Sequence, residues 1–470
     1  MHESLLKRYH KLSPALRSVV ATARGGYLRA WRYGPRTEQL CDEALAREQW
    51  TQRQWQNWRE ERLAFLLQRA AASVPYYRRQ WSERRRRGDR AAVDLLGNWP
   101  ILEKETLREQ PTAFVAEDRS RSRMFHDHTS GTTGTSLDLW LSRATVQAWY
   151  ALFEARCRRW NGVSRRDRWA MIGGQLVVSV QQSEPPFWVW NASLHQLYLS
   201  AYHLAPRHAA GYVEALRRYG VRYIVGYPSA VHALAHEVLS QNLRAPRLDF
   251  VLANAEGVLD RQRREIEEAF GCPVRETYGM AEIVANASEC QEGRMHLWPE
   301  VGEIEVLNGT SVAAFGEMGE LVCTGLLNVD MPLIRYRVGD RGALATLGSS
   351  CSCGRLLPLL SAVDGRIDDV LYTPDGRVIG RLDPVFKSRL PIKEAQIIQD
   401  KLDLIRIRYV RDDSFSKVDA ESLVDRVRDR MGQVKVVLEE VDFIARTANG
   451  KFRAVICNLS PEERGRAQTR

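Results

Sequence analysis

The pattern of apolar and polar positions changes character twice along this chain. Apolar residues recur at helical spacing through Trp55–Ala71, and residues 1–95 read as a largely helical leader. Val74-Pro-Tyr-Tyr77 predicts an end to that helix, because a residue preceding proline is pushed out of the α region. Between residues 124 and 345 two patterns alternate. Arg168–Ile172, Tyr223–Gly226 and Asp249–Ala253 predict short buried strands, and Leu137–Leu141 predicts another. Val213–Tyr219, Ala230–Leu239 and Asp260–Phe270 carry apolar residues three and four apart and predict helices. Such alternation argues for an α/β core with parallel strands. The texture changes again near Asp364–Asp369. A Pro374-Asp-Gly376 turn, an alternating strand at Leu404–Val410, a helix at Ala420–Arg430 and a strand at Val434–Leu438 predict a small α+β domain of about 100 residues.

Composition narrows the class. A chain of 470 residues, 44% hydrophobic and 27% charged, is an ordinary globular protein too long for one core. No apolar run is long enough to span a membrane, and the first residues lack the apolar core of a signal peptide, so a cytoplasmic location is expected. The net charge of +10 rests mostly on arginines interleaved with acids, as in Trp81–Arg90, and no nucleic-acid motif accompanies them. That run reads as a solvated helix surface, with peripheral contact to an anionic membrane or an acidic partner left open. The oligomeric state is also open.

Ser130-Gly-Thr-Thr-Gly-Thr135 is the first stretch with chemistry in it. Glycines turn backbone N–H groups toward one point and hydroxyls add donors, which suits phosphate oxygens; a plain linker has the same composition. It is not a Walker loop, because Thr135 stands where that loop needs lysine. Downstream come Thr277-Tyr-Gly-Met-Ala-Glu282, Ile334-Arg-Tyr-Arg-Val-Gly-Asp340, Gly365-Arg-Ile-Asp-Asp369 and Asn449-Gly-Lys-Phe-Arg453. Of eight cysteines, Cys41, Cys157, Cys272, Cys323 and Cys457 are scattered and read as buried small hydrophobes. Cys290 and His296 with Cys351 and Cys353 offer three thiols and an imidazole. By spacing alone, structural zinc and buried free thiols are equally good readings.

In this order the motifs resemble the adenylate-forming superfamily of acyl-CoA synthetases and adenylation domains. Val74-Pro-Tyr-Tyr-Arg78, Gly226-Tyr-Pro-Ser229 and Cys353-Gly-Arg355 are similar to its phenylacetate–CoA ligase branch. The leader and Tyr372–Arg377 resemble its CapK-like capsular-polysaccharide members. The resemblance implies a large adenylation domain with mixed and parallel sheets over residues 1–366, and a small mobile α+β domain over 367–470. It implies activation of a small carboxylic acid with ATP and Mg²⁺, giving an acyl-adenylate and pyrophosphate, then transfer to CoA. A carrier protein, amine or sugar is the alternative acceptor, with surface-polysaccharide assembly as a setting; a nucleotide-binding scaffold without turnover is the alternative to catalysis.

Residue by residue, the resemblance makes Ser130, Gly131, Thr132, Thr133 and Gly134 the phosphate loop. Ala255, Glu256 and Gly257 with Tyr278 and Gly279 would flank adenine, Asp340 would hold the ribose, and Arg366 would join the nucleotide contacts. Glu282 would hold Mg²⁺, Asp368 would be the hinge, and Lys451 would bridge carboxylate and phosphate. Some relatives in this branch carry a metal site comparable to Cys290, His296, Cys351 and Cys353, which favours zinc. Three positions depart from the family pattern: Thr135 for lysine, Ala281 for the threonine before Glu282, and Gly257 for proline. The substrate is less defined. Pro185–Trp190, Tyr227 and the helix after Ser229 can line an aromatic acyl pocket or simply belong to the core.

Overall fold

A computed structural model describes residues 3–128, 137–179, 181–309, 311–346, 348–366, 371–374, 378–379, 391–446 and 452–468. The leader is five helices: α1 (Glu3–His10), α2 (Pro14–Arg32), α3 (Thr37–Arg47), α4 (Gln52–Ser73) and α5 (Pro75–Arg86). Thr51 starts α4 with a reciprocal cap, its hydroxyl accepting from Gln54 N and Gln54 Oε1 accepting from Thr51 N. Val74 ends α4, yet the chain does not leave helix for long. Pro75 opens α5, where its fixed φ and missing N–H cost nothing. Leu66, Leu67, Ala70, Tyr77 and Trp81 then pack the leader into the main core.

Helix α6 (Lys104–Glu109) follows, then a hairpin of β1 (Phe125–His128) and β2 (Asp138–Leu141), whose register pairs His128 with Asp138. The Ser/Thr/Gly stretch between these strands, Ser130 to Gly134 included, lies outside the described residues.

After α7 (Arg143–Phe153) comes the predicted alternation: β3 (Trp169–Gly173), β4 (Trp188–Asn191), β5 (Gln196–Ser200), α8 (Ala209–Arg218), β6 (Tyr223–Gly226), α9 (Pro228–Ser240), β7 (Phe250–Ala253), α10 (Asp260–Phe270) and β8 (Val274–Gly279). Strands β5, β3, β6, β7 and β8 run parallel. At β8 the sheet changes sense, and antiparallel strands continue it: β9 (Asn286–Glu289), β10 (Met295–Leu297), β11 (Gly302–Asn308), β12 (Ser311–Val312), β13 (Gly319–Gly325), β14 (Tyr336–Leu344) and β15 (Leu359–Arg366). Among the described residues thirteen strands share this one sheet. The parallel half was expected; the antiparallel half makes the sheet mixed, as the family resemblance implies.

The C-terminal domain is separate. A two-stranded piece, β16 (Leu371–Tyr372) with β17 (Val378–Ile379), precedes a sheet of β18 (Ile392–Lys401), β19 (Leu404–Arg411), β20 (Lys435–Glu440) and β21 (Val455–Cys457). Helix α11 (Lys417–Met431) closes its core through Leu423, Val427 and Met431, and α12 (Pro461–Gln468) ends the described chain. Buried Gln399 clips β16 to this core, donating to Tyr372 O (2.7 Å) and accepting from Tyr372 N (2.9 Å). The hinge candidate Asp368 lies outside the described residues. Among the described residues no helix is long and apolar enough to cross a membrane.

Candidate active site and cysteine–histidine cluster

Parallel strands present their C-terminal ends together, and in open α/β sheets that edge is where ligands bind. Three of the predicted segments leave the sheet there. Beyond β7, Ala255 adopts a left-handed backbone (φ 66°), costing on the order of 1 kcal/mol or more for a residue with a Cβ. That turn aims the next side chain, Glu256, across two chain segments. Its carboxylate accepts from Ser229 N at the start of α9 (3.1 Å) and from Phe452 N in the C-terminal domain (2.8 Å). Burial pushes the Glu256 carboxyl above the usual range, and the two N–H donors oppose that shift. Gly257 follows in open space. Phe452 is the residue after Lys451, which itself lies outside the described residues.

Beyond β8 the sheet reverses through Ile283 (φ 53°). Gly279 is required at the crossing, since an added Cβ would come 2.2 Å from Asn286 Nδ2 on β9. Strand β14 faces this turn with two groups. Tyr278 Oη donates to Asp340 Oδ2 at 2.8 Å, and burial followed by the Asp340 charge holds the phenol well above its ordinary pKa. It stays a donor at any physiological pH and orients the carboxylate. Tyr336, fully buried, donates to Glu282 Oε1 at 3.0 Å. Lys104 Nζ lies 3.4 Å from the same oxygen. Arg366 is the register partner of Asp340 across β14 and β15.

Tyr278, Gly279, Glu282 and Asp340 are thus brought together, with Glu256 on the neighbouring loop. Lys104 was missed by sequence reasoning, though a signal exists. It is the only lysine between Lys11 and Lys387 in a chain that otherwise uses arginine. The segment before it is drawn alongside β14, with Leu102 N donating to Arg335 O and Leu102 O accepting from Arg337 N.

The aromatic run lies on the far edge of the parallel half. Phe187 is buried in the core cluster, Trp190 stacks on Tyr219, and Trp188 meets Tyr212 edge-on. These rings pack the sheet; Tyr227 lies over Gly173 at the strand ends.

Elsewhere on the antiparallel half, Cys290, His296, Cys351 and Cys353 converge, their four donor atoms all within 4.8 Å of one another. Cys290 Sγ is 3.7 Å from Cys351 Sγ, and Cys353 Sγ is 3.3 Å from His296 Nε2. A tetrahedral ion with Zn–S near 2.3 Å spaces two sulfurs by about 3.7–3.8 Å, well beyond a disulfide. Burial lowers the His296 imidazole to about 4, so it is neutral and keeps a lone pair for a metal at pH 7. The donor set therefore fits a closed zinc site. Cys41, Cys157, Cys272, Cys323 and Cys457 are buried. The loop holding Cys351 and Cys353 is clasped by the leader just after α3. Leu356 N donates to Glu48 O (2.8 Å), and Glu48 pairs with Arg355 and accepts from Trp160 Nε1. Fully buried Arg156 adds a bidentate pair with Glu300 beside it.

A sheet that turns from parallel to antiparallel at the Tyr-Gly strand, with the Asp340 carboxylate and buried Glu282 across from it, is the arrangement expected of an adenylate-forming family. The chain belongs to the AMP-binding enzyme family, whose model matches residues 56–328; the CapK C-terminal domain model matches residues 371–458. It is 24% identical over 386 residues to protein CapK of Staphylococcus aureus, covering 79% of this chain and 82% of that one. It is 26% identical over 324 residues to phenylacetate-coenzyme A ligase of Pseudomonas putida, covering 66% and 70%. Its fold is that of 2-hydroxyisobutyryl-CoA ligase in the postadenylation state, with a TM-score of 0.67 at 22% identity, over 90% of this chain and 94% of that one.

Proposed function

We propose that this protein activates a carboxylic acid with ATP, forming an acyl-adenylate and pyrophosphate, and then passes the acyl group to CoA. The observation that carries this reading is the Glu256 bridge, which ties the backbone beside Lys451 to the loop after β7. An adenylating enzyme needs a cation delivered from the small domain to the bond being made. The carboxylate oxygen of the substrate attacks the α-phosphorus, the bond to the β-phosphate bridging oxygen breaks, and pyrophosphate leaves. Lys451 is the point charge for that step. The Ser130–Gly134 stretch supplies N–H and hydroxyl donors to the phosphates. Asp340, aligned by Tyr278, accepts from the ribose hydroxyls.

Glu282 suits Mg²⁺: it is a hard carboxylate, oriented by Tyr336 and Lys104 at Oε1. Bound there, Mg²⁺ would neutralise phosphate charge. Lys104 holds the glutamate in place without it. In the second step the CoA thiolate attacks the acyl carbon and AMP leaves. The match of the C-terminal domain to CapK favours a second reading of the acceptor, an amine or sugar hydroxyl, which would give an amide or ester in place of a thioester.

Pyrophosphate release measured over a panel of carboxylic acids tests the first step. Release that depends on one class of acid is the expected result, and tight ATP binding with no release for any acid would overturn the reading. The Tyr278→Phe variant should raise KM for ATP about 2- to 10-fold with kcat little changed, as expected for one hydrogen bond of about 0.5–1.5 kcal/mol. A fall in kcat at unchanged KM would place Tyr278 in the chemistry instead.

A further inference from the structure

The leader helices carry a surface that the site does not use. From Ser4 to Thr37 there are eight Lys and Arg residues and not one Asp or Glu, against a net charge of +10 for the whole chain. Helix α2 is fixed in orientation by its inner face. Arg17 and Leu28 are buried there, and Gly25 lies so close to the β4 end that an added Cβ would be 2.1 Å from Asn191 Oδ1. The outer face is therefore determined, and it is apolar. Leu16, Val19, Val20 and Tyr27 fall at i, i+3, i+4 and i+11, one stripe on the helix, and are 52%, 63%, 40% and 55% exposed. Leu176, also exposed, extends the patch beside α1, where its carbonyl is 3.1 Å from the His10 ring. Arg8 on α1, Lys11 just after it and Arg24 beside the ridge on α2 are exposed.

A helix turned to water ordinarily shows it polar side chains, and an exposed aliphatic ridge marks a surface that something covers. Charge selects the occupant. A second copy would bring two acid-free basic rims together. Nucleic acid answers the arginines but has no use for a Leu/Val ridge, since its partners read phosphates with cations and stack bases on aromatic rings. An aliphatic ridge with a basic rim matches the interfacial layer of an anionic bilayer, where acyl chains take the ridge and headgroup phosphates take the arginines. We propose that α1 and α2 dock this protein peripherally on an anionic membrane surface, with Leu16, Val19, Val20 and Tyr27 entering the headgroup–acyl boundary. The proposal is independent of the adenylation reading.

Co-sedimentation of the full-length protein with phosphatidylcholine vesicles, with and without phosphatidylglycerol, tests it. The wild type is expected to pellet with the anionic vesicles and to be released by added salt. The double variant Leu16→Asp/Val19→Asp and the triple variant Arg8→Glu/Lys11→Glu/Arg24→Glu should each partition about tenfold less or lower. All these side chains are exposed, and an unchanged circular dichroism spectrum and pyrophosphate release in solution show that the fold is retained. The proposal is overturned if the wild type stays in the supernatant, or if both variants pellet as well as the wild type. It is equally overturned by a wild-type dimer that Val19→Asp dissociates, or by RNA binding, lost only in the charge-reversed variant, in the absence of vesicle binding.

Discussion

Replacing Lys451 by alanine is expected to slow acid-dependent pyrophosphate release by about 10²–10³-fold, the usual effect of removing one preorganised charge from a transition state. The argument starts from Phe452 N and Glu256 Oε1, 2.8 Å apart. A buried carboxylate that accepts this N–H anchors Phe452, the residue after Lys451, to the loop after β7. On the proposed reading ATP affinity should change only a few-fold, because its ground-state contacts are assigned to Ser130–Gly134, Tyr278 and Asp340. Supplied acyl-adenylate should still be converted to product, since that half-reaction breaks the bond from acyl carbon to AMP and needs no charge at the pyrophosphate. Stopped-flow or coupled pyrophosphate measurement beside an adenylate-chase assay separates the two. Wild-type adenylation by Lys451→Ala would remove the lysine from the mechanism.

The second large effect concerns the cysteine–histidine cluster. Purified protein is expected to carry one zinc per chain, and Cys290→Ser or Cys351→Ser to lose it. A site occupied at free zinc 1,000-fold above its Kd stabilises by about 4 kcal/mol, so chelation should lower Tm by roughly 5–10 °C. The loss should register beyond the ligands, because Arg355 and Leu356 hand the loop directly to Glu48 of the leader. Limited proteolysis of the metal-free protein should therefore open near residues 351–356. Metal-free protein as purified, with a Tm indifferent to chelator, would leave these four thiol and imidazole groups with a packing role only.

How much of this was legible in the sequence depends on how local the determinant is. The helix Asp260–Phe270 was readable to the residue, because its apolar stripe and the following Gly271 in left-handed conformation are local signals. The strand at Tyr223–Gly226 was equally plain, and the one read as Asp249–Ala253 begins one residue later, at Phe250. Strand β4 was missed as a strand: Trp188 and Trp190 read as pocket or core, and only pairing with β5 decides. The turn from parallel to antiparallel at β8 is likewise a choice of partner, invisible in any window of the chain. Within the site, the motifs announced Tyr278, Glu282 and Asp340 as types. The pairings did not follow: that Tyr278 serves Asp340, and that Tyr336 and Lys104 share one oxygen of Glu282, needs β8, β14 and the start of α6 brought together. The zinc donors were recognisable by chemistry, but no spacing joins Cys290 to Cys351.

The clasp between Glu48 and Arg355 has a consequence for how the chain is made. The two residues are 307 positions apart. A leader that emerges first from the ribosome cannot complete that contact until residue 355 has been synthesised, roughly 15–60 s later at about 5–20 residues per second. For that interval Glu48 lacks its partners Arg355 and Leu356, although α3 and α4 can already pack on α7 and α5. The cysteine–histidine loop should therefore be the last part of the large domain to lock, and delays in synthesis before position 355 should lower the yield of folded protein without altering the protein that results.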